Sequence, residues 1–92
     1  MDLTELRNEI DVIDRQLVDL LQRRLDVASG VAAYKIERGL PVLDQSREDA
    51  KLAVIRSMCQ PEKAPSVAAV FDAILAASRA WQTALMEARN GS

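Results

Sequence analysis

Apolar residues recur at Leu6, Ile10, Ile13, Leu17, Leu20, Val27, Val31 and Tyr34, in steps of three and four interrupted where Arg24 occupies an apolar place. That rhythm follows the 3.6-residue turn of an α-helix and predicts one over residues 3–38. Asp2, with Glu5 three residues later, has the form of a capping box at its start. Gly39-Leu40-Pro41 supplies the stop, because glycine accepts the left-handed backbone of a helix end and proline cannot continue the ladder. Gly30 sits inside this helix at a cost of about 1 kcal/mol relative to alanine, tolerated within so strong a pattern. A second helix is predicted over 45–59, starting at Asp44 or Ser46, either a good N-cap, with Leu52, Ile55 and Cys59 facing inward. Gln60-Pro61-Glu62-Lys63-Ala64-Pro65 reads as a linker. Ser66 then caps a third helix over 66–89, with Val67, Phe71, Ile74 and Leu85 on its apolar line and Asn90-Gly91-Ser92 as a frayed tail.

The predicted fold class is therefore all-α, with one long and two shorter helices in a single domain over 1–92. Aromatic residues are only 3% of the chain, too few for several strands, and three glycines with three prolines allow few turns. A helix of about 35 residues extends about 50 Å at 1.5 Å per residue. A compact monomer of this size is only about 25–30 Å across. The first helix overhangs its own domain, and a second copy is expected to cover it in an intertwined helical homodimer.

The formal net charge of −2 gives no reason to expect nucleic acid, which normally demands a basic face, and no apolar run approaches the roughly 20 residues that span a bilayer. The acidic, amphipathic start does not resemble a signal peptide, which favours a cytoplasmic location. Cys59 is alone, so no internal disulfide forms. With no histidine, imidazole bases, the common zinc sites and Ser-His triads are excluded, and no metal or cofactor is expected. Any chemistry must run on arginine, lysine, carboxylates and amides.

Arg24 and Lys35 are eleven residues apart, which returns to within about 20° of the same azimuth and separates them by about 16 Å. With Ala28 and Val31 between, they form a stripe able to grip a small anion. Ser78 and Gln82 place hydrogen-bonding groups in the apolar line of the third helix. Asp44, Arg47 and Glu48 share one face at the opening of the second. Each residue alone has a plainer explanation. Arg24 pairs with Glu48, Lys35 reaches water at a helix end, Ser78 bonds a carbonyl one turn back, Gln82 sets register, and Asp44, Ser46, Arg47 and Glu48 form an ordinary capped first turn. The combination favours a ligand. A buried unpaired cation costs several kcal/mol and an unpartnered amide about 1–3, whereas one dianionic polar molecule satisfies all of them. Arg7 lies about 25 Å along the helix from Arg24 and roughly 100° around it, so only the Arg7 of an antiparallel second chain reaches this site.

The run Leu6-Arg7…Ile10…Asp14…Leu17…Leu20-Leu21…Arg24…Val31…Lys35, followed by Pro41-Val42-Leu43-Asp44-Gln45-Ser46-Arg47-Glu48 and Ser78-Arg79-Ala80-Trp81-Gln82, resembles the AroQ class of chorismate mutases. The likeness covers almost the whole chain in order; the linker is short for the family, and helix phase selects Arg24 over Arg23. The resemblance implies conversion of chorismate to prephenate, in aromatic amino acid biosynthesis, by an intertwined homodimer without cofactor. It implies that Arg24, Arg47 and the Arg7 of the partner chain hold the two substrate carboxylates, with Ser78 assisting. Lys35 and Gln82 are then donors to the ether oxygen, Glu48 and Asp44 address the ring hydroxyl, and Val31 lines the pocket. Gln82 is an amide where some relatives carry a carboxylic acid, so no protonated acid is expected to be needed there. The alternatives are isochorismate-pyruvate lyase or 4-amino-4-deoxychorismate mutase activity on the same scaffold, or a non-catalytic helical dimerisation module. Lyases tend to lack part of the Asp44-Arg47-Glu48 set, which favours the mutase.

Overall fold

In the computed structural model, which describes residues 1–91, the capping box forms at the first helix. Glu5 N donates to the Asp2 carboxylate over 2.8 Å and Asp2 N to the Glu5 carboxylate over 3.2 Å, which satisfies two backbone donors of the first turn. Helix α1 runs Leu3–Arg38 and ends at Gly39, whose φ of 65° is the left-handed conformation that glycine adopts without strain. Leu40 N then donates to Lys35 O over 2.9 Å and turns the chain back beside the helix. Helix α2 spans Gln45–Met58, capped by the Asp44 side chain, which accepts from Arg47 N over 3.1 Å. Of the two expected caps, Asp44 is the one used, and Cys59 lies just past the helix rather than within it.

Helix α3 spans Ala64–Asn90 and so begins two residues before the expected start. Ser66 is not its cap; Lys63 takes that place without a side-chain hydrogen bond, and Pro65 falls in the first turn. Proline suits that turn because its missing N–H is one that finds no partner within the helix. The connection shrinks to a tight turn closed by Lys63 N and Ala64 N donating to Gln60 O at 2.9 and 3.1 Å. Asn90 belongs to α3, Gly91 caps it, and Ser92 of the expected tail lies outside the described residues.

Helix α3 packs against both α1 and α2, which do not pack on each other. The α1–α3 contact uses small residues: Ala28, Ala32 and Ala68 are buried, joined by Leu75. A hydrogen-bond relay tightens it, with Trp81 Nε1 donating to Ser29 Oγ over 2.9 Å and Ser29 to Leu25 O over 3.1 Å. On α3 the buried line is Ala68, Leu75, Ser78 and Gln82, so Leu75 is buried where Ile74 was expected to be.

The result is a slab of 54 × 27 × 14 Å, one helix thick. Its radius of gyration is 16.5 Å, against about 12 Å for a compact domain of this length. The expected apolar line of α1 is present but uncovered, with Leu6, Ile10, Ile13, Leu17 and Leu20 between 44% and 55% exposed. Accessible surface totals 6986 Å², roughly 1,700 Å² more than a compact monomer of 10.2 kDa exposes. Among the described residues no helix is long and apolar enough to cross a membrane.

A Cβ placed on Gly30 meets nothing within 4 Å. Gly30→Ala is therefore expected to stabilise the chain by about 0.5–1 kcal/mol in a urea titration, the helix-propensity difference. A loss of stability instead places atoms of another chain against that position.

Candidate active site

The stripe on α1, the first turn of α2 and the buried polar pair of α3 converge on one hollow of about 350 Å³. Arg24, Val31 and Lys35 reach it from α1, Asp44, Arg47 and Glu48 from the start of α2, and Ser78 and Gln82 from α3. Eight of the nine residues singled out in the sequence thus line the same cavity. The ninth, Arg7, is exposed in the second turn of α1 and does not line it.

Local backbone signals put these groups in place. The Gly39 stop folds residues 40–44 back along α1, so that Val42 O accepts from Lys35 Nζ over 2.8 Å. A carbonyl anchors the half-buried ammonium without neutralising it. Capping by Asp44 fixes the first turn of α2 and with it Arg47 and Glu48. Asp44 is thus a cap and a cavity residue at once.

The plainer explanation of Arg24 does not hold: Glu48 pairs with Arg79, not with Arg24. Arg23 pairs with Asp19, Arg38 with Glu37 and Arg79 with Glu48, and among the described residues no ion pair involves another cation of the cavity. Arg24, Lys35, Arg47 and Lys51 therefore face the cavity with no carboxylate partner. Five cationic side chains against two carboxylates line a hollow in a chain whose net charge is −2. Such a concentration in a concave site focuses potential on anions.

Ser78 and Gln82 are each only 8% exposed. Gln82 Nε2 donates to Ser78 Oγ over 3.2 Å, and Gln82 Oε1 is buried with no partner. Ser78 thus bonds the neighbouring amide rather than a carbonyl one turn back. An unpartnered buried carbonyl costs about 1–3 kcal/mol. A half-turn of the amide lets the Ser78 hydroxyl donate to Oε1 and leaves Nε2 in the unpartnered position instead. In either orientation one polar atom of the Gln82 amide is left without a partner in the protein.

Sequence reasoning missed Val27, Val42, Lys51, Leu75 and Arg79 in the lining. Lys51 carried a usable signal, four residues after Arg47 on the same helical face. Arg79 carried none, because its partner Glu48 is 31 residues away. No group of histidine, cysteine or carboxylate side chains able to hold a metal occurs among the described residues.

The sequence pattern of the family described as Chorismate mutase type II matches residues 6–83. A T-protein of Haemophilus influenzae is 38% identical over 73 residues, covering 79% of this chain and 19% of that protein. A chorismate mutase of Methanocaldococcus jannaschii is 36% identical over 58 residues, covering 63% of this chain and 59% of that protein. A 4-amino-4-deoxychorismate mutase of Streptomyces venezuelae is 37% identical over 46 residues, covering 50% and 45% respectively. The matched segment spans less than two thirds of each of these relatives. No solved structure matches the chain significantly.

Proposed function

The chain belongs to the type II chorismate mutase family, and on that footing we propose that it rearranges chorismate to prephenate in the cavity between its three helices. The observation that carries this reading is the convergence of Arg24, Lys35 and Arg47, none held by a carboxylate, with the underpartnered Gln82 on one hollow of about 350 Å³. That volume lies within the range of small-molecule sites. A non-catalytic dimerisation module has no use for such a set, since unpaired cations and a buried orphan carbonyl only weaken it.

Chorismate carries two carboxylates, a ring hydroxyl and an enol ether. In its rearrangement one C–O bond breaks while one C–C bond forms, with no proton gained or lost overall. The reaction needs a folded conformer and places negative charge on the ether oxygen as its bond lengthens. Arg24 and Arg47 hold the carboxylates, with Ser78 assisting, and so select the folded conformer, an entropic contribution. Lys35, fixed by Val42 O, and Gln82 donate to the ether oxygen and stabilise charge only as it develops. Glu48 and Asp44 address the ring hydroxyl, and Val31 forms the apolar wall. No general base is required, in keeping with a chain that has no histidine.

The functional unit is a homodimer. The roughly 1,700 Å² of surplus surface per chain and the uncovered apolar line of α1 support a second copy as the covering partner. In an antiparallel arrangement Arg7 of one chain completes the carboxylate clamp of the other, and two-fold symmetry gives two sites.

Adding chorismate to the purified protein and identifying the product tests the proposal. Prephenate is the expected product. Pyruvate with an aromatic acid makes the cavity a lyase site, and unchanged chorismate defeats the proposal.

A further inference from the structure

We propose that Arg79 sets substrate selectivity: by neutralising Glu48 it makes that end of the cavity a receptor for a neutral hydroxyl and a poor one for an ammonium. The inference rests on the mutase reading above and concerns a residue to which that reading gives no part. Glu48 and Arg79 link α2 to α3 through a hydrogen-bonded ion pair between Arg79 Nη1 and Glu48 Oε1. Their side chains are 15% and 36% exposed, and both line the cavity. Among the described residues no second donor reaches the Glu48 carboxylate, so Oε2 remains available to a ligand. Lys51, three residues after Glu48 on the same helix, also lines the cavity and has no ion-pair partner.

The charge balance at this end decides what binds. A lone carboxylate in a half-enclosed cavity prefers an ammonium to a hydroxyl, because two opposite full charges attract more strongly than a charge and a dipole. Glu48 is not alone. Its charge is matched by Arg79, and Lys51 offsets the second carboxylate, Asp44, so the local sum is about zero. A ligand hydroxyl can donate to Oε2 and lose nothing to the cations. A ligand ammonium meets the same oxygen with two like charges beside it, and like-charge juxtaposition is a strong means of rejecting a wrong partner. Chorismate and 4-amino-4-deoxychorismate differ at this ring substituent, a hydroxyl in one and an alkylamine in the other. Alkylamines are largely protonated at neutral pH. Arg79 touches neither the breaking nor the forming bond; it acts through Glu48.

The test compares kcat/KM for the two substrates in the full chain and in Arg79→Gln, Arg79→Lys and Lys51→Gln. The unaltered chain is expected to favour chorismate. In Arg79→Gln the ratio of the amino to the hydroxy substrate is expected to rise about 10–100-fold, and in Arg79→Lys to stay within about threefold of the original. Lys51→Gln, which breaks no hydrogen bond and so keeps the fold, is expected to move the ratio several-fold in the same direction. A general loss of structure lowers both substrates together and leaves the ratio alone. Parallel losses in Arg79→Gln together with an unchanged ratio in Lys51→Gln overturn the assignment while leaving the mutase reading intact. Turnover of neither substrate by the unaltered chain removes both.

Discussion

Lys35→Ala is expected to lower kcat/KM for chorismate by about 10²–10³-fold while helix content and thermal midpoint stay near those of the unaltered chain. The size follows from removing one preorganised donor to a developing oxyanion, worth about 2.7–4 kcal/mol. The change should fall mainly on kcat, because the interaction strengthens as the ether bond lengthens. Structural cost is small, since Lys35 gives up one hydrogen bond, to Val42 O, and no ion pair. Losing a cation from a cavity already rich in them even relieves repulsion in the empty protein. Steady-state kinetics with circular dichroism separates the cases. Full activity removes Lys35 from the chemistry, and a collapse of helix content makes it structural.

Mixing Arg7→Ala chains with Lys35→Ala chains is expected to restore activity that neither possesses alone. Arg7 lies outside the cavity of its own chain, and about 25 Å of helix separates it from Arg24. If each site takes Lys35 from one chain and Arg7 from the other, a mixed dimer holds one intact site and one doubly damaged site. Random exchange of equal amounts makes about half of the dimers mixed, so about a quarter of all sites are intact. Activity should therefore climb from about a hundredth or less of the unaltered level towards a quarter of it. Chain exchange is checked independently, by native mass spectrometry of tagged chains. Exchange without recovery shows that Arg7 is not shared between chains.

Much of this architecture is written locally in the sequence, and its gaps have identifiable physical causes. The bounds of α1 rest on a capping box and a Gly-x-Pro stop, signals confined to a few residues. The cavity stripe is legible because Arg24 breaks an apolar rhythm, and a cation in such a place needs an anion. The start of α3 misleads because Pro65 reads equally as a linker residue and as the first turn of a helix, and Ser66 is the better cap by composition. Leu75 rather than Ile74 is buried because only the packing of α3 against two helices fixes its rotation, and neighbouring apolar residues differ by 100°. The Glu48–Arg79 pair joins two helices, so no spacing rule reveals it. The seam of α1 is legible because its apolar rhythm continues past the length of a compact monomer, and the structure leaves that line exposed.

The central claim is that one cavity holds a folded dicarboxylate between Arg24 and Arg47 with its ether oxygen on Lys35 and Gln82. Calorimetric titration with a rigid bicyclic dicarboxylic ether, shaped like the folded transition state, tests it most directly. The expected result is one ligand per chain, binding at least about 10²-fold tighter than chorismate and weakened in Lys35→Ala. Absent binding, or binding that Lys35→Ala leaves unchanged, contradicts it.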